Sequence, residues 1–360
     1  MKVALIPSDV GACGFYRVAW PGNAVRERGH EVHLHDPTRV EIARMPMGGV
    51  AVKGLENLRD MDLVVVQRVK SRTHLEFIQQ LQDLGIAVVV DVDDALWRID
   101  PDNKSYDHWS FHDGAMRRWE YLDLACAIAD LVTVTTPALA QRYGGHARVE
   151  VLRNGLPNRA FSTNPKTGFQ GRIRLGWSGS IDSHPHDLDV LGDSVKRIMA
   201  ENDDVDLHIV GDAEPVAAVL GVEEFGDRVT GTGWVPLDQY HAALTDIDIM
   251  LVPLADTFFN RCKSALKAQE GAAAGAVVLA SATPENERLY GLGGFAGGIV
   301  DQDASDHVWH VAIQQAIQTA RTGAGADPGP ERVRFLEYGS RGDKWEAAWQ
   351  WAIDRRKKVG

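Results

Sequence analysis

The sequence has few cysteines and lacks any long apolar run. Cys13, Cys126 and Cys262 are its three cysteines, and their wide spacing argues against a disulfide framework or a zinc site. No apolar run approaches the ~20 residues that span a bilayer. The N-terminal letters MKVALIPSDVGACG lack the charged, apolar and small-residue order of a signal peptide. We therefore expect a cytoplasmic protein without a membrane span.

Basic residues are also in short supply. The chain has 38 lysine and arginine residues against 50 aspartate and glutamate residues, which leaves a formal charge of −12 at pH 7. A chain this acidic has no global attraction to a phosphate backbone or an anionic membrane. The one dense basic run, RRKK near the C-terminus, is typical of a solvated helix end. The charge therefore argues against tight binding of duplex DNA.

Short apolar runs alternate with helical patterns along almost the whole chain. KVALIP, DLVVVQRV and IAVVVDVDD are such runs in the first half, and RIRLGWSGS, DLHIVGD and DIMLVPL in the second. Continuous valine and isoleucine runs separated by helices predict parallel strands that are buried on both faces. Because 360 residues exceed the usual size of a single core, the sequence predicts an α/β protein with two doubly wound units.

A polar stretch separates the two α/β series. Its letters NGLPNRAFSTNPKTGFQG, residues 154–171, contain the prolines and glycines of a linker. The predicted organisation is a first domain over residues 1–158, a linker over 159–171, a second domain over 172–330 and a helix over 331–360. Ligands of doubly wound sheets bind beyond the carboxyl ends of the strands. Candidate residues are therefore expected in the loops that follow the apolar runs.

The stretch FFNRCKSALKAQEGAAAGAVVLAS carries the strongest chemical signal. Its pattern is helical from Lys263, with Gly275 placed to end the helix before a buried strand. Lys263, Lys267 and Glu270 share one helix face, and the positive first turn of a helix suits a diphosphate. Arg261 adds charge there, while Glu270 is placed to accept hydrogen bonds from ribose hydroxyls. An ordinary amphipathic helix explains the same spacing.

This stretch resembles the donor-binding segment of retaining GT-B glycosyltransferases, the family 4-like or group 1 enzymes. The branch it resembles is bacterial and phage-encoded and reads FNR-x-KS-x-LK-x-x-E-x-x-A-x-G-x-x-VV-x-S. The resemblance implies a GT-B fold, in which two doubly wound, Rossmann-like domains face each other across a cleft. It also implies that Glu270 faces this cleft and binds the donor ribose. Cys262 stands where the wider family has a first glutamate, which leaves Asn260 or Lys263 to hold the transferred sugar.

Further matches extend the resemblance over most of the chain. LGWSGSIDSHPHDL resembles the first strand and turn of the second domain, where small residues let backbone amides approach the donor phosphates. His184 in this turn is either a donor contact or a solvated loop residue. TGWVPLDQY resembles a segment that flanks the nucleotide base, and GACGFYRVAW resembles the first loop, although a plain strand–helix turn explains its glycines equally well. The resemblance assigns donor binding to Gly14, Gly179, Ser180, Trp234, Val235, Asn260, Ser264, Lys267 and Glu270.

A second cluster of candidate residues lies in the run VVVDVDDALW. Asp91, Asp93 and Asp94 form an Asp-x-Asp pattern that could hold a divalent metal, and they superficially resemble the nucleophile loop of haloacid-dehalogenase-like phosphatases. A solely structural role is a third reading. In the reading that we favour, the loop faces the cleft and Asp93 or Asp94 orients the acceptor hydroxyl.

The predicted activity is that of a hexosyltransferase. It moves a sugar from a nucleoside-diphosphate sugar, with UDP favoured by family habit, to an acceptor hydroxyl with retention. Arg261 and Lys263 would stabilise the leaving diphosphate electrostatically, which makes Asp93, Asp94, Arg261 and Lys263 the predicted catalytic residues. No cofactor or metal is expected to be required. The resemblance also implies that the C-terminal helix returns to the first domain.

Several questions stay open at the level of the sequence. The acceptor is a glycan, a protein such as a phage virion protein, or a modified nucleic-acid base, and the oligomeric state is not indicated. Two functions from other classes are alternatives. One is a magnesium-dependent phosphohydrolase centred on Asp91 and Asp93. The other is an inactive sugar-nucleotide-binding module, which the replacement of a family glutamate by Cys262 suggests.

Overall fold

The computed structural model describes residues 1–46, 49–55, 58–145, 148–161, 171–322 and 329–359. The chain divides into two compact units. The first unit contains Met1–Ile99, Ser105–Gly155 and Tyr338–Gly360, and the second contains Asp100–Lys104 and Leu156–Glu337. Most of the predicted linker, residues 159–171, lies outside the described residues.

The first unit is built on a six-stranded parallel sheet and a small antiparallel hairpin. In chain order its strands are β1 Lys2–Ile6, β2 Glu31–Leu34, β3 Glu41–Arg44, β4 Val50–Lys53, β5 Leu63–Gln67, β6 Ala87–Val92, β7 Leu131–Val134 and β8 Val149–Val151. The parallel sheet has the order β2-β1-β5-β6-β7-β8, and β3 pairs with β4 in the hairpin. Strands β5 and β6 are buried along their whole length, which confirms the reading of their continuous valine runs.

The helices of the first unit connect these strands, and the last of them closes the core. They are Ala12–Gly14, Phe15–Ala19, Trp20–Glu27, Arg72–Asp83, Tyr106–Ser110, Arg118–Ile128, Pro137–Tyr143 and Tyr338–Val359. The helix Tyr338–Val359 packs Trp345 and Trp349 against strand side chains such as Leu5 and Val89. Aromatic side chains of this size bury a large apolar area. The C-terminal helix is therefore an integral part of the first unit.

The second unit is a six-stranded, fully parallel sheet with connecting helices. Its strands are β9 Ile173–Ser178, β10 Val205–Val210, β11 Val229–Gly231, β12 Ile249–Val252, β13 Val277–Ser281 and β14 Gly297–Val300. They are arranged in the order β11-β10-β9-β12-β13-β14. The strand order reverses between β9 and β12, and doubly wound sheets bind ligands beyond the carboxyl ends of such a pair.

Seven α-helices are described in the second unit. They are Ser194–Glu201, Ala213–Leu220, Leu237–Leu244, Phe258–Arg261, Leu266–Ala273, Pro284–Gly291 and Asp306–Thr322. Trp177 of β9 and Trp309 of the last helix lie in its apolar core. In neither unit does a helix of the described residues have the length and apolarity needed to cross a membrane.

Candidate functional site

The carboxyl end of β9 forms the centre of the candidate site in the second unit. Gly179 follows β9 with a φ of 142°, which favours glycine. A Cβ atom at Gly179 would lie 2.8 Å from Lys267 Nζ, and one at Gly211 would lie 2.4 Å from the Gly179 carbonyl oxygen. The loops after β9 and β10 therefore approach each other more closely than any larger residue allows. Gly211 was not predicted, although it directly follows the apolar run LHIV.

Lys267 reaches this strand end from the helix Leu266–Ala273. Its Nζ donates a hydrogen bond to the Ser178 carbonyl oxygen at 2.5 Å and lies 4.7 Å from the centre of the Trp177 ring. Burial and the positive charge of Lys263 lower the pKa of Lys267 to about 7, against the opposing charges of Asp187 and Glu270. A buried ammonium group with too little negative charge around it is suited to an anionic ligand.

Glu270 lies one turn further along the same helix and is buried. Its side chain is 3% exposed, and the Tyr240 hydroxyl donates to Glu270 Oε2 at 3.1 Å. Tyr240 Oη also lies 3.0 Å from Ser178 Oγ, while His241 Nε2 lies 3.9 Å from Glu270 Oε1. Burial lowers the pKa of His241 to about 4, so its ring is neutral at pH 7. The resemblance implied that Glu270 faces a cleft. In the structure its carboxylate already accepts the Tyr240 hydrogen bond, so a ligand hydroxyl that reaches Glu270 must share this carboxylate with Tyr240.

Asp187 organises the loops beside this cluster. Its Oδ1 accepts hydrogen bonds from Asn260 Nδ2 at 2.7 Å and from the Ala255 backbone N–H at 3.0 Å, and its Oδ2 lies 2.9 Å from His184 Nδ1. Burial alone would raise the pKa of Asp187, but the His184 hydrogen bond and the Lys263 charge outweigh it and lower the pKa. Asp187 is therefore a buried, ionised anchor. Nothing in the sequence distinguishes it from the other loop aspartates.

Asn260 and Lys263 both belong to this anchored network. Asn260 is 4% exposed, and its amide nitrogen donates to Asp187 and to the Ala255 carbonyl oxygen. Lys263 Nζ lies 3.1 Å from His184 Nδ1 and 5.1 Å from the centre of the Phe259 ring. Burial, Lys267 and Lys263 lower the pKa of His184 to about 3, so this histidine is neutral at pH 7. The structure thus brings Lys263 and Lys267 together, with Asn260 in a supporting position.

The helix predicted to start at Lys263 starts instead at Leu266. It runs from Leu266 to Ala273, and Gly275 follows it with a φ of 86°, as predicted for the glycine that ends a helix. Phe258–Arg261 is a separate short helix, whose N-terminus is capped by the Thr257 side chain. Lys263 and Ser264 lie between the two helices. The first helical turn therefore does not carry Lys263, because the chain bends there to bury Cys262.

Arg261 lies apart from the two lysines. It forms an ion pair with Asp256, and both side chains are about half exposed. Because exposed ion pairs contribute little, this pair does not hold Arg261 firmly in place. Arg261 therefore lies on the surface of the short helix, whereas Lys263 and Lys267 are half-buried and contact His184 and the Ser178 carbonyl oxygen.

The remaining residues predicted in the second unit lie around the strand ends. Trp234 is 63% exposed, and its indole N–H donates to Asp212 Oδ2 at 2.8 Å. Val235 follows it and is half-buried. Ser180 lies in the loop after β9, with its Oγ 3.4 Å from Lys104 Nζ. The aromatic face of Trp234 is thus accessible at the edge of the sheet near β11.

The first unit contains the predicted Asp91, which is part of its core. Asp91 is completely buried in β6 and accepts hydrogen bonds from Arg17 Nη2 at 2.7 Å, Arg17 Nε at 3.1 Å and Thr133 Oγ1 at 2.6 Å. Arg17 is 1% exposed and also donates to the Leu152 carbonyl oxygen and to Asn154 Oδ1. The Asp91 carboxylate is therefore committed to holding a buried arginine.

Asp93 and Asp94 share a second arginine, Arg68. Arg68 donates to both oxygens of Asp93 at 2.6 Å and to Asp94 Oδ2 at 3.1 Å. Burial would raise the pKa of Asp93, but the charge and hydrogen bonds of Arg68 outweigh it and lower the pKa. The Asp94 side chain is 28% exposed and that of Asp93 only 9%. Asp94 therefore presents the more accessible carboxylate.

Cys13 and Gly14 complete the surroundings of Arg68. The Cys13 sulfur lies 3.3 Å from Arg68 Nη2, and burial raises the pKa of this thiol, which keeps it neutral. A Cβ atom at Gly14 would lie 2.2 Å from the Asp9 carbonyl oxygen, so only glycine fits there. Gly14 thus allows the first loop to fold tightly over the carboxyl end of β1.

The metal-binding and phosphohydrolase readings of the DVDD run are not supported. A magnesium ion prefers free carboxylate oxygens, but a guanidinium group occupies both oxygens of Asp91 and both oxygens of Asp93. The following turn, Leu96–Arg98, has no side-chain cap, so neither aspartate caps it. Within the described ranges, the one group of side chains close enough to share a cation is Asp100, Asp102 and His186 of the second unit.

Comparisons with known proteins agree with this architecture. Residues 172–317 match the family model described as glycosyl transferases group 1. A search of curated proteins found no match. The structure is similar to sucrose-phosphate synthase from Thermosynechococcus elongatus, with 17% identity, a TM-score of 0.62 and coverage of 98% of this chain and 99% of that one.

Two further solved structures show how widely this fold is used. The HepE protein of Anabaena in complex with UDP-glucose has 14% identity and a TM-score of 0.63, over 97% of this chain and 100% of that one. The UDP-GlcNAc 2-epimerase of Methanocaldococcus jannaschii has 11% identity and a TM-score of 0.54, over 98% and 100%. These likenesses concern the fold, and they confirm the prediction of two Rossmann-like units. The chain has a GT-B fold, and residues 172–317 of its second unit match the glycosyl transferases group 1 model.

Proposed function

We propose that this protein is a glycosyltransferase whose donor is a nucleoside-diphosphate sugar, with UDP as the nucleotide. The observation that carries the proposal is the placement of Lys267 and Glu270 at the carboxyl end of β9, inside the segment that matches the family model. An ammonium group suits the diphosphate, and a carboxylate one turn away suits the ribose hydroxyls. The structurally similar HepE protein was solved with UDP-glucose.

The second unit supplies chemically distinct contacts for such a donor. Lys263 and Lys267 offer positive charge to the diphosphate, and this charge favours its departure with the electrons of the broken bond. Trp234 offers an exposed ring on which the base can stack. Retention of the sugar configuration is part of the proposal and rests on the resemblance to the retaining enzymes.

The first unit supplies a carboxylate for the acceptor. The Asp94 side chain is 28% exposed and shares Arg68 through one hydrogen bond, whereas the same guanidinium holds both oxygens of Asp93. A carboxylate in this state accepts a hydrogen bond from an acceptor hydroxyl and orients it for attack. We therefore assign the acceptor contact to Asp94 and the positioning of Arg68 to Asp93.

The reaction itself is tested by incubating the protein with UDP-glucose, UDP-N-acetylglucosamine and their GDP counterparts. Mass spectrometry should detect release of the nucleoside diphosphate together with a glycosylated acceptor or, without an acceptor, slow release of the free sugar. Conversion of UDP-N-acetylglucosamine to its C2 epimer would contradict the proposal, because the epimerases share this fold. Tight binding without turnover of any donor would favour the inactive module.

Glu270→Gln is expected to weaken UDP-glucose binding by about 10- to 150-fold, because hydrogen bonds to a charged group contribute about 1.5–3 kcal/mol. Glutamine has nearly the same volume and can still accept the Tyr240 hydroxyl, so the melting temperature should hold. Isothermal titration calorimetry measures the affinity of the native protein and of Glu270→Gln for UDP-glucose. Tyr240→Phe is the matched control, since it removes the competing donor and should leave affinity unchanged or higher. Equal affinity of Glu270→Gln and the native protein would rule out the ribose assignment.

Lys267 should make donor binding depend on pH. With a pKa of about 7, the free protein loses this positive charge as the pH rises, whereas a bound diphosphate favours the ammonium form. UDP-glucose binding is therefore expected to weaken above neutral pH and to take up close to one proton at about pH 8.5 but almost none at about pH 6. Lys263, Asp187 and Glu270 are the charged groups that act on Lys267.

Titrations in buffers of different ionisation enthalpy measure this proton uptake. Lys267→Arg keeps its charge at every pH used, so it should bind UDP-glucose without taking up a proton. Proton uptake that persists in Lys267→Arg would assign the titration to another group.

A further inference from the structure

A group of basic side chains in the first unit has no part in the contacts proposed above. Lys70 lies between β5 and the helix Arg72–Asp83, and Arg118 is the first residue of the helix Arg118–Ile128. The two helices pack against each other. Both begin at the carboxyl edge of the sheet, because each leads from one parallel strand to the next. Lys70 and Arg118 are therefore brought to the same edge as Arg68 and Asp94.

Neighbouring groups other than carboxylates hold Arg118 in place. Its Nη1 contacts His108 Nδ1 and donates to the His108 carbonyl oxygen at 3.2 Å. Its guanidinium lies 4.9 Å from the centre of the Phe111 ring, and Phe111 is 51% exposed. A planar cation that is fixed by a ring face and a carbonyl keeps its remaining N–H groups for a ligand.

The positive charges of this group act on one another. Burial lowers the pKa of Lys70, and the charge of Arg118 lowers it further, while Asp9 opposes both. Burial lowers the pKa of His108 to about 4, with Arg118, Lys70 and Arg68 adding to the effect. Burial and Lys70 likewise lower the pKa of His74 to about 4. Basic groups lower one another's pKa values when they lie close together without enough negative charge between them. The surroundings of Lys70 and Arg118 therefore have an excess of positive charge.

This excess is unusual in a chain with a net charge of −12. Among the ion pairs of the described residues, neither Lys70 nor Arg118 has a carboxylate partner, whereas the nearby Arg72, at the start of the helix Arg72–Asp83, pairs with Glu76. Arg118 also stands at a helix N-terminus, where the helix dipole disfavours a cation. An anion bound at this edge would relieve both unfavourable interactions.

We propose that Lys70 and Arg118 bind a phosphate monoester group of the acceptor. Two cations match the two negative charges of a phosphate monoester better than they match the single charge of a carboxylate. The positive ends of two helices add to the attraction. The identification of the ligand as an acceptor rests on the proposed transferase function, but the binding of phosphate does not. The acceptor is then a phosphorylated compound whose hydroxyl reaches Asp94 in the same unit.

Binding of inorganic phosphate to the full chain, with and without saturating UDP, tests the site directly. UDP occupies the lysines of the second unit, so the phosphate that still binds reports on the first. Lys70→Gln/Arg118→Gln should weaken this binding by about tenfold or more. The matched control Arg72→Gln removes an exposed cation two residues from Lys70, and it should not change phosphate binding. Both variants should keep the native melting temperature and the native affinity for UDP-glucose.

The nature of the anion is tested with two further probes. Acetate and dimethyl phosphate carry one charge each, so both should bind more weakly than inorganic phosphate. Acetate binding as tightly as phosphate would overturn the proposal in favour of a carboxylate ligand. Dimethyl phosphate binding as tightly would overturn it in favour of a phosphodiester, as in a nucleic acid. Equal phosphate binding by the native protein and by Lys70→Gln/Arg118→Gln would show that these two residues do not form a phosphate site.

The acceptor assignment has its own test. With UDP-glucose as donor, a panel of sugar phosphates should stimulate UDP release more than the corresponding free sugars, and Lys70→Gln/Arg118→Gln should abolish the difference. Stimulation by free sugars alone would overturn the acceptor assignment. A protein that binds phosphate but not UDP would instead refute the proposed function and leave the phosphate site standing.

Discussion

Asp94→Asn is expected to lower the rate of sugar transfer by about 10²–10⁴-fold, the usual contribution of a well-placed acid or base group. Asparagine has the size of aspartate, but its side-chain oxygen accepts a weaker hydrogen bond from the hydroxyl of the sugar acceptor. Asparagine also cannot stabilise the positive charge that develops on this hydroxyl. The donor contacts proposed for Lys263, Lys267 and Glu270 lie in the second unit, so affinity for UDP-glucose should stay within a few-fold of the native value. The effect should appear in kcat and not in donor binding.

The neighbouring Asp93 provides the comparison for this prediction. Asp93→Asn weakens the two hydrogen bonds that hold Arg68, so it should lower both the melting temperature and activity. Asp94 contacts Arg68 through one hydrogen bond of 3.1 Å, against two of 2.6 Å at Asp93, so Asp94→Asn should lower the melting temperature less than Asp93→Asn does. Product assays and calorimetry on the same preparations measure these quantities. Loss of donor affinity in a stable Asp94→Asn protein would show that the loop contacts the donor.

Asp91→Ala is expected to lower the free energy of unfolding of the first unit by about 3–5 kcal/mol, the usual cost of leaving one partner of a buried ion pair uncompensated. Arg17 would keep its contacts with the Leu152 carbonyl oxygen and Asn154 but would lose the carboxylate that pairs with it. Its guanidinium also lies 5.0 Å from the centre of the Trp345 ring. The loss should therefore loosen the packing of the C-terminal helix.

Urea unfolding, followed by tryptophan fluorescence, measures this effect. Asp123→Ala is the matched control because it breaks the ion pair with Arg142 in the same unit, where both side chains are 31% exposed. Exposed pairs contribute about 0–1 kcal/mol. Arg17→Met/Asp91→Leu should recover most of the stability, since apolar side chains of similar volume often replace a buried pair without loss. A similar cost for Asp91→Ala and Asp123→Ala would contradict the structural role of Asp91.

The fold was predictable because its signals are local and continuous. Parallel strands covered on both faces must be apolar throughout, and the valine runs of β5 and β6 show this without reference to any partner. Gly275 was predictable as a helix end for the same reason, since a positive φ at one residue is a local requirement. The hairpin of β3 and β4 was not predictable, because its four-residue strands carry charged side chains and are too short to show a sustained alternation of apolar and polar residues.

The candidate site was predictable in its location but not in its internal contacts. The motif around Lys267 and Glu270 indicated the segment, but their burial depends on Ser178 and Tyr240 from other elements. The helix start shifted from Lys263 to Leu266 because the intervening residues turn to bury Cys262. No periodicity within the segment contains that information.

Local sequence patterns were enough to identify the α/β class, the two doubly wound series and the segment that matches a glycosyltransferase family, since each depends on residues that are close together in the chain. Which charges are compensated depends instead on tertiary contacts. Asp91, Asp93 and Asp94 are near neighbours in the chain, yet Arg17 neutralises the first and Arg68 holds the other two. These partners come from distant positions, and a carboxylate's burial and charge balance follow from whichever groups the sheet brings beside it.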